Sequence, residues 1–124
     1  MKKILVIDDE DLLIRTLNSL LTKHKYEVYS VMNGSDAKVM IEEEEFELII
    51  CDMQMPGLNG VETIKEIKNA IKLKNAKDIP VIFITGYADT DLEKQAKDLK
   101  PVAYIFKPFE IPVILDAIKS ALKL

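Results

Sequence analysis

Cysteine and histidine are nearly absent from this sequence, which has one of each among 124 residues. The single cysteine, Cys51, cannot form an internal disulfide, so the chain suits a reducing compartment. One cysteine and one histidine also cannot supply the ligand set of a zinc site. The sequence therefore excludes a disulfide-stabilised secreted domain and a zinc protein.

An excess of basic residues and a long apolar run are also lacking. The 17 basic residues are outnumbered by 21 acidic ones, for a net charge of -4, and no lysine cluster indicates direct contact with nucleic acid. The N-terminal apolar run ILVI ends at Asp8 and Asp9, and it is too short for a signal peptide or a membrane span. We expect a cytoplasmic protein that does not bind membranes.

Residues 1–124 are predicted to form one folded domain. Hydrophobic residues make up 48% of the chain and charged residues 31%, which is typical of a globular protein. The length suits a single core, and the sequence contains no repeat, linker or low-complexity segment.

Short apolar runs alternate with helix-period segments along the whole chain, giving five strand-helix units. The predicted strands cover residues 4–7, 28–31, 48–51, 81–84 and 102–106. Strands that are apolar on both faces and joined by helices predict an α/β fold with a doubly wound, five-stranded parallel sheet and five helices. We expect the strand order 2-1-3-4-5, with the more polar run YEVYSV at an edge.

Reactive side chains follow four of the five apolar runs. They are Asp8, Asp9, Asp52, Thr85 and Lys107. Because parallel strands point in the same direction, these side chains should meet at the carboxyl edge of the sheet, where such folds bind ligands. The sequence therefore predicts one functional site built from distant segments.

The charges at this edge predict a divalent cation. Three carboxylates about 4 Å apart would repel by about 4 kcal/mol per pair at an effective dielectric constant of roughly 20. Lys107 offsets only one of these negative charges. A small set of hard oxygen ligands suits Mg²⁺ better than Ca²⁺ or Zn²⁺. We therefore expect a magnesium site.

A carboxylate beside a metal, an ammonium group and a hydroxyl has the groups needed for phosphoryl transfer, with Asp52 as the acceptor. Pro56, Gly57 and Gly60 would turn the chain sharply after that residue. Taken singly, the same polar residues have simpler interpretations. The acidic residues from Asp9 to Asp11 could cap a helix, Thr85 could lie in a turn, and Lys107 could be a solvated charge.

Four motifs together resemble the receiver domain of bacterial two-component response regulators. They are VIDDE at 6–10, DMQMPGLNG at 52–60, PVIFITGYA at 80–88 and AYIFKPF at 103–109. They occur in the family's order, and the resemblance extends over the whole chain. It implies a CheY-like, or flavodoxin-like, fold and a phosphorylation-dependent signalling switch rather than an enzyme with turnover of a separate substrate.

The resemblance also implies a role for each site residue. Asp52 would accept a phosphoryl group from a sensor histidine kinase, a phosphotransfer protein or a small acyl phosphate. Its carboxylate would hold Mg²⁺ together with Asp8, Asp9 and the backbone carbonyl of Gln54. Lys107 would bind a phosphoryl oxygen, and its peptide bond to Pro108 would be cis.

Further residues would transmit and tune the switch by the same resemblance. Thr85 would move toward the phosphoryl group, and Tyr104 would turn inward to fill the space that this movement leaves. Gln54 and Tyr87 would modulate hydrolysis of the aspartyl phosphate. The responding surface, from the fourth helix to the fifth at about 88–123, would contact a downstream effector or output domain, and phosphorylation could promote dimerisation.

Three other functions compete with this interpretation. A haloacid-dehalogenase-type phosphatase would carry a second acid where this chain has Gln54. A flavin carrier would need a glycine- and hydroxyl-rich loop after the first strand, where this chain has DDED. A receiver-like interaction module that works without phosphorylation would not need the complete set of site residues. The sequence does not identify the cognate kinase, the pathway or the output.

Overall fold

The computed structural model describes residues 1–86 and 88–123. Five strands alternate with five helices along this part of the chain. The strands are β1 (Lys3–Ile7), β2 (Glu27–Val31), β3 (Leu48–Asp52), β4 (Val81–Thr85) and β5 (Ala103–Phe106). The helices are α1 (Asp11–Lys23), α2 (Gly34–Glu43), α3 (Gly60–Leu73), α4 (Thr90–Asp98) and α5 (Ile111–Leu122).

All four strand pairs are parallel, and the sheet has the order β2-β1-β3-β4-β5. This order confirms the prediction of a doubly wound sheet, with β2 at one edge. Of the three interior strands, β3 and β4 are buried at every residue, as their continuous apolar sequences indicate. The more polar β2 retains partial exposure along most of its length, as suits an edge strand.

Two hydrophobic layers cover the faces of the sheet. On one face, β1 contributes Leu5 and Ile7, which pack with apolar residues of α2, α3 and α4. On the other, Ile4 and Val6 pack with α1 and α5. Alternate residues of one strand therefore contribute to both cores, which holds all five helices against the sheet.

A tight loop connects β3 to α3. Gly57 has a φ angle of 79°, a left-handed conformation that glycine adopts without a steric penalty. A Cβ at Gly60 would collide with the Asp52 carbonyl group, so α3 can start beside the end of β3 only with glycine there. Asn59 and Glu62 form a reciprocal capping box at this helix start. The predicted sharp turn after Asp52 is therefore present.

The peptide bond between Lys107 and Pro108 is cis, as the family resemblance implied. Within the described part of the chain, none of the helices combines the length and the apolar character needed to span a bilayer.

Candidate functional site

Strand register brings the predicted site residues to one edge of the sheet. Ile7 pairs with Cys51, so Asp8 and Asp52 both lie one residue beyond that pair on neighbouring strands. Asp52 in turn pairs with Ile84, directly before Thr85. Asp8, Asp52 and Thr85 are buried, with relative exposures of 0%, 3% and 1%. Burial of three polar side chains at one edge is unusual unless they serve a site.

Lys107 extends from the end of β5 across this edge. Its ammonium nitrogen Nζ lies 3.1 Å from Asp8 Oδ2 and 3.5 Å from Asp52 Oδ1. The lysine side chain is only 13% exposed, so these contacts lie in a poorly solvated environment. The interpretation of Lys107 as a solvated surface charge is therefore not supported, and the ammonium group directly links β1, β3 and β5.

The Asp52 carboxyl group has a strongly perturbed pKa. Burial, together with repulsion by the Asp8 carboxylate, raises it from an ordinary value of 3.8 to about 6. Attraction to Lys107 and a backbone hydrogen bond from Gln54 oppose this shift. Burial also raises the pKa of Asp8, while hydrogen bonds from the Glu10 backbone and from Lys107 act to lower it. The site thus holds more negative charge than its own lysine can balance.

The carboxylates of Asp8, Asp9 and Asp52 form a group that could hold a metal ion. Each offers one oxygen, and the three oxygens lie within 4.8 Å of one another. Hard oxygen donors fit a hard divalent cation, and the raised pKa values of Asp8 and Asp52 show where additional positive charge would be stabilising. The residues present therefore fit a hard divalent cation such as Mg²⁺.

Thr85 of β4 and Tyr104 of β5 are diagonal neighbours, because Tyr104 pairs with Phe83 and Thr85 pairs with Phe106. Burial raises the pKa of the Tyr104 phenol, while a hydrogen bond with the Thr85 side chain acts in the opposite direction. The Tyr104 ring is half-buried and packs against Phe83 at 6.5 Å and Phe106 at 5.5 Å between ring centroids. The two residues assigned to the switch by resemblance are therefore in direct contact, and their roles stay predictions.

The two residues assigned to modulation differ in what the structure describes. Gln54 is half-buried in the β3-α3 loop and adjoins Asp52 through the backbone hydrogen bond noted above. Tyr87 lies outside the described residues. The proposed effects of both on hydrolysis stay predictions.

Glu10 joins the site although the sequence indicated only a helix-capping role for it. Its Oε1 atom lies 2.9 Å from Lys107 Nζ, and its backbone N–H donates a 2.8 Å hydrogen bond to Asp8 Oδ1. Glu10 occupies the N-cap position of α1, yet its side chain makes no capping hydrogen bond. The charge of Lys107, 97 residues away, was the only signal that could have indicated this contact.

Comparison with known proteins identifies the class to which this fold and site correspond. A family model described as the response regulator receiver domain matches residues 4–119. The chain therefore belongs to the response regulator receiver domain family, which supports a role in two-component signalling.

Individual relatives agree with this assignment. The chain is 32% identical over 123 residues to the sporulation initiation phosphotransferase F of Bacillus subtilis, with 99% of this chain and 95% of that protein covered. It is 34% identical to the transcriptional regulatory protein CrdR of Helicobacter pylori, covering 98% of this chain but only 54% of that protein. A CheY-like receiver domain structure from Methanospirillum hungatei matches with a TM-score of 0.89 at 28% identity, covering 99% of this chain and 94% of that one.

Proposed function

We propose that this chain is a phosphorylation-dependent switch in which Asp52 accepts a phosphoryl group from the phosphohistidine of a sensor kinase or phosphotransfer protein. The observation that carries the proposal is the position of Lys107 Nζ, 3.1 Å from Asp8 and 3.5 Å from Asp52 at a buried strand edge. This arrangement places a nucleophilic carboxylate beside a cation that can bind a transferred phosphoryl oxygen. The protein would act as the acceptor and not as an enzyme with a separate substrate.

Transfer would require the ionised form of Asp52. A carboxylate oxygen attacks phosphorus, the bond from phosphorus to the donor imidazole nitrogen breaks, and its electron pair stays on that nitrogen. The attacking oxygen becomes the bridging oxygen of an acyl phosphate. Lys107 can donate a hydrogen bond to a nonbridging oxygen, since its ammonium group already lies at the Asp52 carboxylate.

Asp8, Asp9, Asp52 and the backbone carbonyl of Gln54 would hold Mg²⁺ in this proposal. When bound, the ion supplies neutralisation of the charge that accumulates on the transferred phosphoryl group. The closely spaced oxygens of the three carboxylates support this ligand set.

The response to phosphorylation would run from Thr85 through Tyr104 to the surface formed by α4, β5 and α5. The side chains of Thr85 and Tyr104 share a hydrogen bond. A movement of Thr85 toward a phosphoryl group would therefore change the surroundings of the Tyr104 hydroxyl. The same surface exposes several large apolar side chains that a partner could cover. They are Val102, Phe106, Ile111 and Val113, with relative exposures of 42%, 49%, 51% and 49%.

The proposal is tested by incubating the protein with acetyl phosphate and Mg²⁺ and measuring its mass. We expect one phosphoryl group that hydroxylamine removes, as an acyl phosphate requires. Asp52→Asn should remain unmodified while keeping its circular dichroism spectrum, because the amide has nearly the same shape but is a poor nucleophile. Asp116→Asn, which changes an exposed carboxylate on α5, is the matched control and should be modified like the wild type. A wild-type protein that gains no phosphoryl group, or an Asp52→Asn protein that does, would contradict the proposal.

A further inference from the structure

We propose that Glu10 is a positioning residue that restrains Lys107 in the unphosphorylated protein and must release it when Asp52 is phosphorylated. This inference rests on the proposed function. Among the three carboxylates around Lys107 Nζ, Glu10 makes the shortest contact at 2.9 Å, compared with 3.1 Å for Asp8 and 3.5 Å for Asp52. The ammonium group is therefore held closer to Glu10 than to the phosphoacceptor.

The local structure of α1 supports a specific role for this contact. An N-cap side chain ordinarily accepts a hydrogen bond from the first turn of its helix. Glu10 stands at the N-cap with an extended backbone but makes no such bond, and its side chain reaches Lys107 at the far end of the sequence. A residue that leaves its local helix uncapped to contact the site departs from local preference in the way functional residues do.

Exposure makes the Glu10 contact the easiest of the three to exchange. The Glu10 side chain is 60% exposed, whereas those of Asp8 and Asp52 are 0% and 5% exposed. A solvated carboxylate loses little when its partner leaves, because water replaces the lost hydrogen bond. A buried carboxylate such as Asp8 would instead lose its cation and keep only the hydrogen bond from the Glu10 backbone. When a phosphoryl oxygen competes for the ammonium group, Glu10 is therefore the partner that gives way.

Three variants separate the contact between Glu10 and Lys107 from the general effect of negative charge near the site. Glu10→Gln removes the charge at constant size, and Glu10→Asp keeps the charge but shortens the side chain by one methylene group. Asp11→Asn is the matched control, because it removes a neighbouring charge that pairs with Arg15 at 2.9 Å rather than with Lys107. The rate of phosphorylation by acetyl phosphate with Mg²⁺ is measured for each variant. The NMR resonance of the Lys107 ammonium group is recorded without phosphodonor.

We expect both Glu10 variants to be phosphorylated roughly two to five times faster than the wild type, which corresponds to the strength of an exposed ion pair. The Lys107 resonance should shift in both variants, a change that a purely structural effect on α1 would not produce. Asp11→Asn should leave that resonance in place and have a smaller effect on the rate.

Several results would overturn the inference. Unchanged or slower phosphorylation of the Glu10 variants would do so while leaving the proposed function intact, as would an equal acceleration by Asp11→Asn. A wild-type protein that accepts no phosphoryl group would instead refute the proposed function, and this inference with it.

Discussion

Asp52 combines a buried position with a charge that its surroundings disfavour. Its pKa of about 6 means that the folded protein holds a proton on this carboxyl group more tightly than the unfolded chain does. Stability from this source is therefore fully present below pH 3.8, the ordinary value, and is lost as the pH rises through about 6. Ionisation of Asp52 at neutral pH thus lowers the free energy of unfolding. The ionised form is also the one in which the carboxylate can act as a nucleophile.

Asp52→Asn should consequently stabilise the protein at pH 7 in the absence of divalent cations. We expect the free energy of unfolding to rise by about 1–3 kcal/mol, because two pKa units correspond to nearly 3 kcal/mol and Lys107 keeps its other carboxylate partners. The gain should shrink as the pH falls toward 4, where the wild-type carboxyl group is protonated. Urea unfolding at both pH values measures the difference. A gain that is equal at pH 4 and pH 7 would show that ionisation of Asp52 is not its source.

Single residues also show how far the sequence could predict the site. That Asp8, Asp52, Thr85 and Lys107 share one edge followed from their places at strand ends, because all strands of a parallel sheet end at the same edge. The direction of the Glu10 side chain did not follow, since two partners were available to it, the first turn of α1 and Lys107. Such a choice depends on tertiary distances that no local pattern contains.

Several helices end in a left-handed residue that is not glycine. Four non-glycine residues adopt a left-handed conformation at or just after a helix end, with φ angles of 52° to 69°. They are Lys25, Asn75, Lys100 and Lys123. A side chain makes this conformation costly, and glycine usually occupies it. Glycine is missing at all four positions, and only Asn75 is a residue type that tolerates this conformation, so three of them could not be predicted from the sequence.

Lys100→Gly should therefore stabilise the end of α4. Lys100 has a φ angle of 54° and is exposed, so glycine would relieve the backbone penalty without loss of packing. We expect the free energy of unfolding to increase by about 0.5–1 kcal/mol after the greater unfolded-state entropy of glycine is included. Thermal unfolding of the purified variant measures the change.

Lys94→Gly provides the matched control for this prediction. Lys94 is exposed within α4, so the same substitution should there lower stability by about 1 kcal/mol. Destabilisation of similar size at both positions would contradict the interpretation of Lys100 as a strained helix end.

Across the whole molecule, acidic residues collect at the starts of the helices and lysines at their ends. Four helices have an acidic residue in the first turn, namely Asp11 of α1, Asp36 of α2, Glu62 of α3 and Asp91 of α4. Four have a lysine in the last turn, namely Lys23 of α1, Lys72 of α3, Lys97 of α4 and Lys119 of α5. These charges complement the helix dipoles, and they also place much negative charge at the edge that carries the site.

This distribution predicts that Mg²⁺ stabilises the entire fold. A cation that binds only the folded protein raises its free energy of unfolding, by about 2.7 kcal/mol at a concentration one hundred times the dissociation constant. We expect the melting temperature to rise by several degrees with millimolar MgCl₂, compared with NaCl at equal ionic strength. Asp9→Asn should remove most of the rise, since it takes away one of the three clustered carboxylates. An equal rise in that variant would place the ion elsewhere.

The strand order was predictable at this scale because continuous apolar runs joined by helices permit few parallel arrangements, and the sheet confirmed it. Ile7 and Cys51 could be assigned to neighbouring strands, but their pairing could not be deduced. Register depends on how complete strands pack against both helix layers. The alignment of Asp8 with Asp52 is therefore a property of the assembled molecule.

The contact between Asp8 and Lys107 joins residues separated by 99 positions in the chain. During synthesis, Asp8, Asp9 and Asp52 leave the ribosome well before Lys107 does, so a nascent chain would carry the acidic residues without their cation. Only after β5 has emerged and paired with β4 can the lysine reach the carboxylates. If Asp52 accepts a phosphoryl group as proposed, competence to receive it would arise late in biogenesis, and incompletely synthesised chains would not compete with finished molecules for the donor.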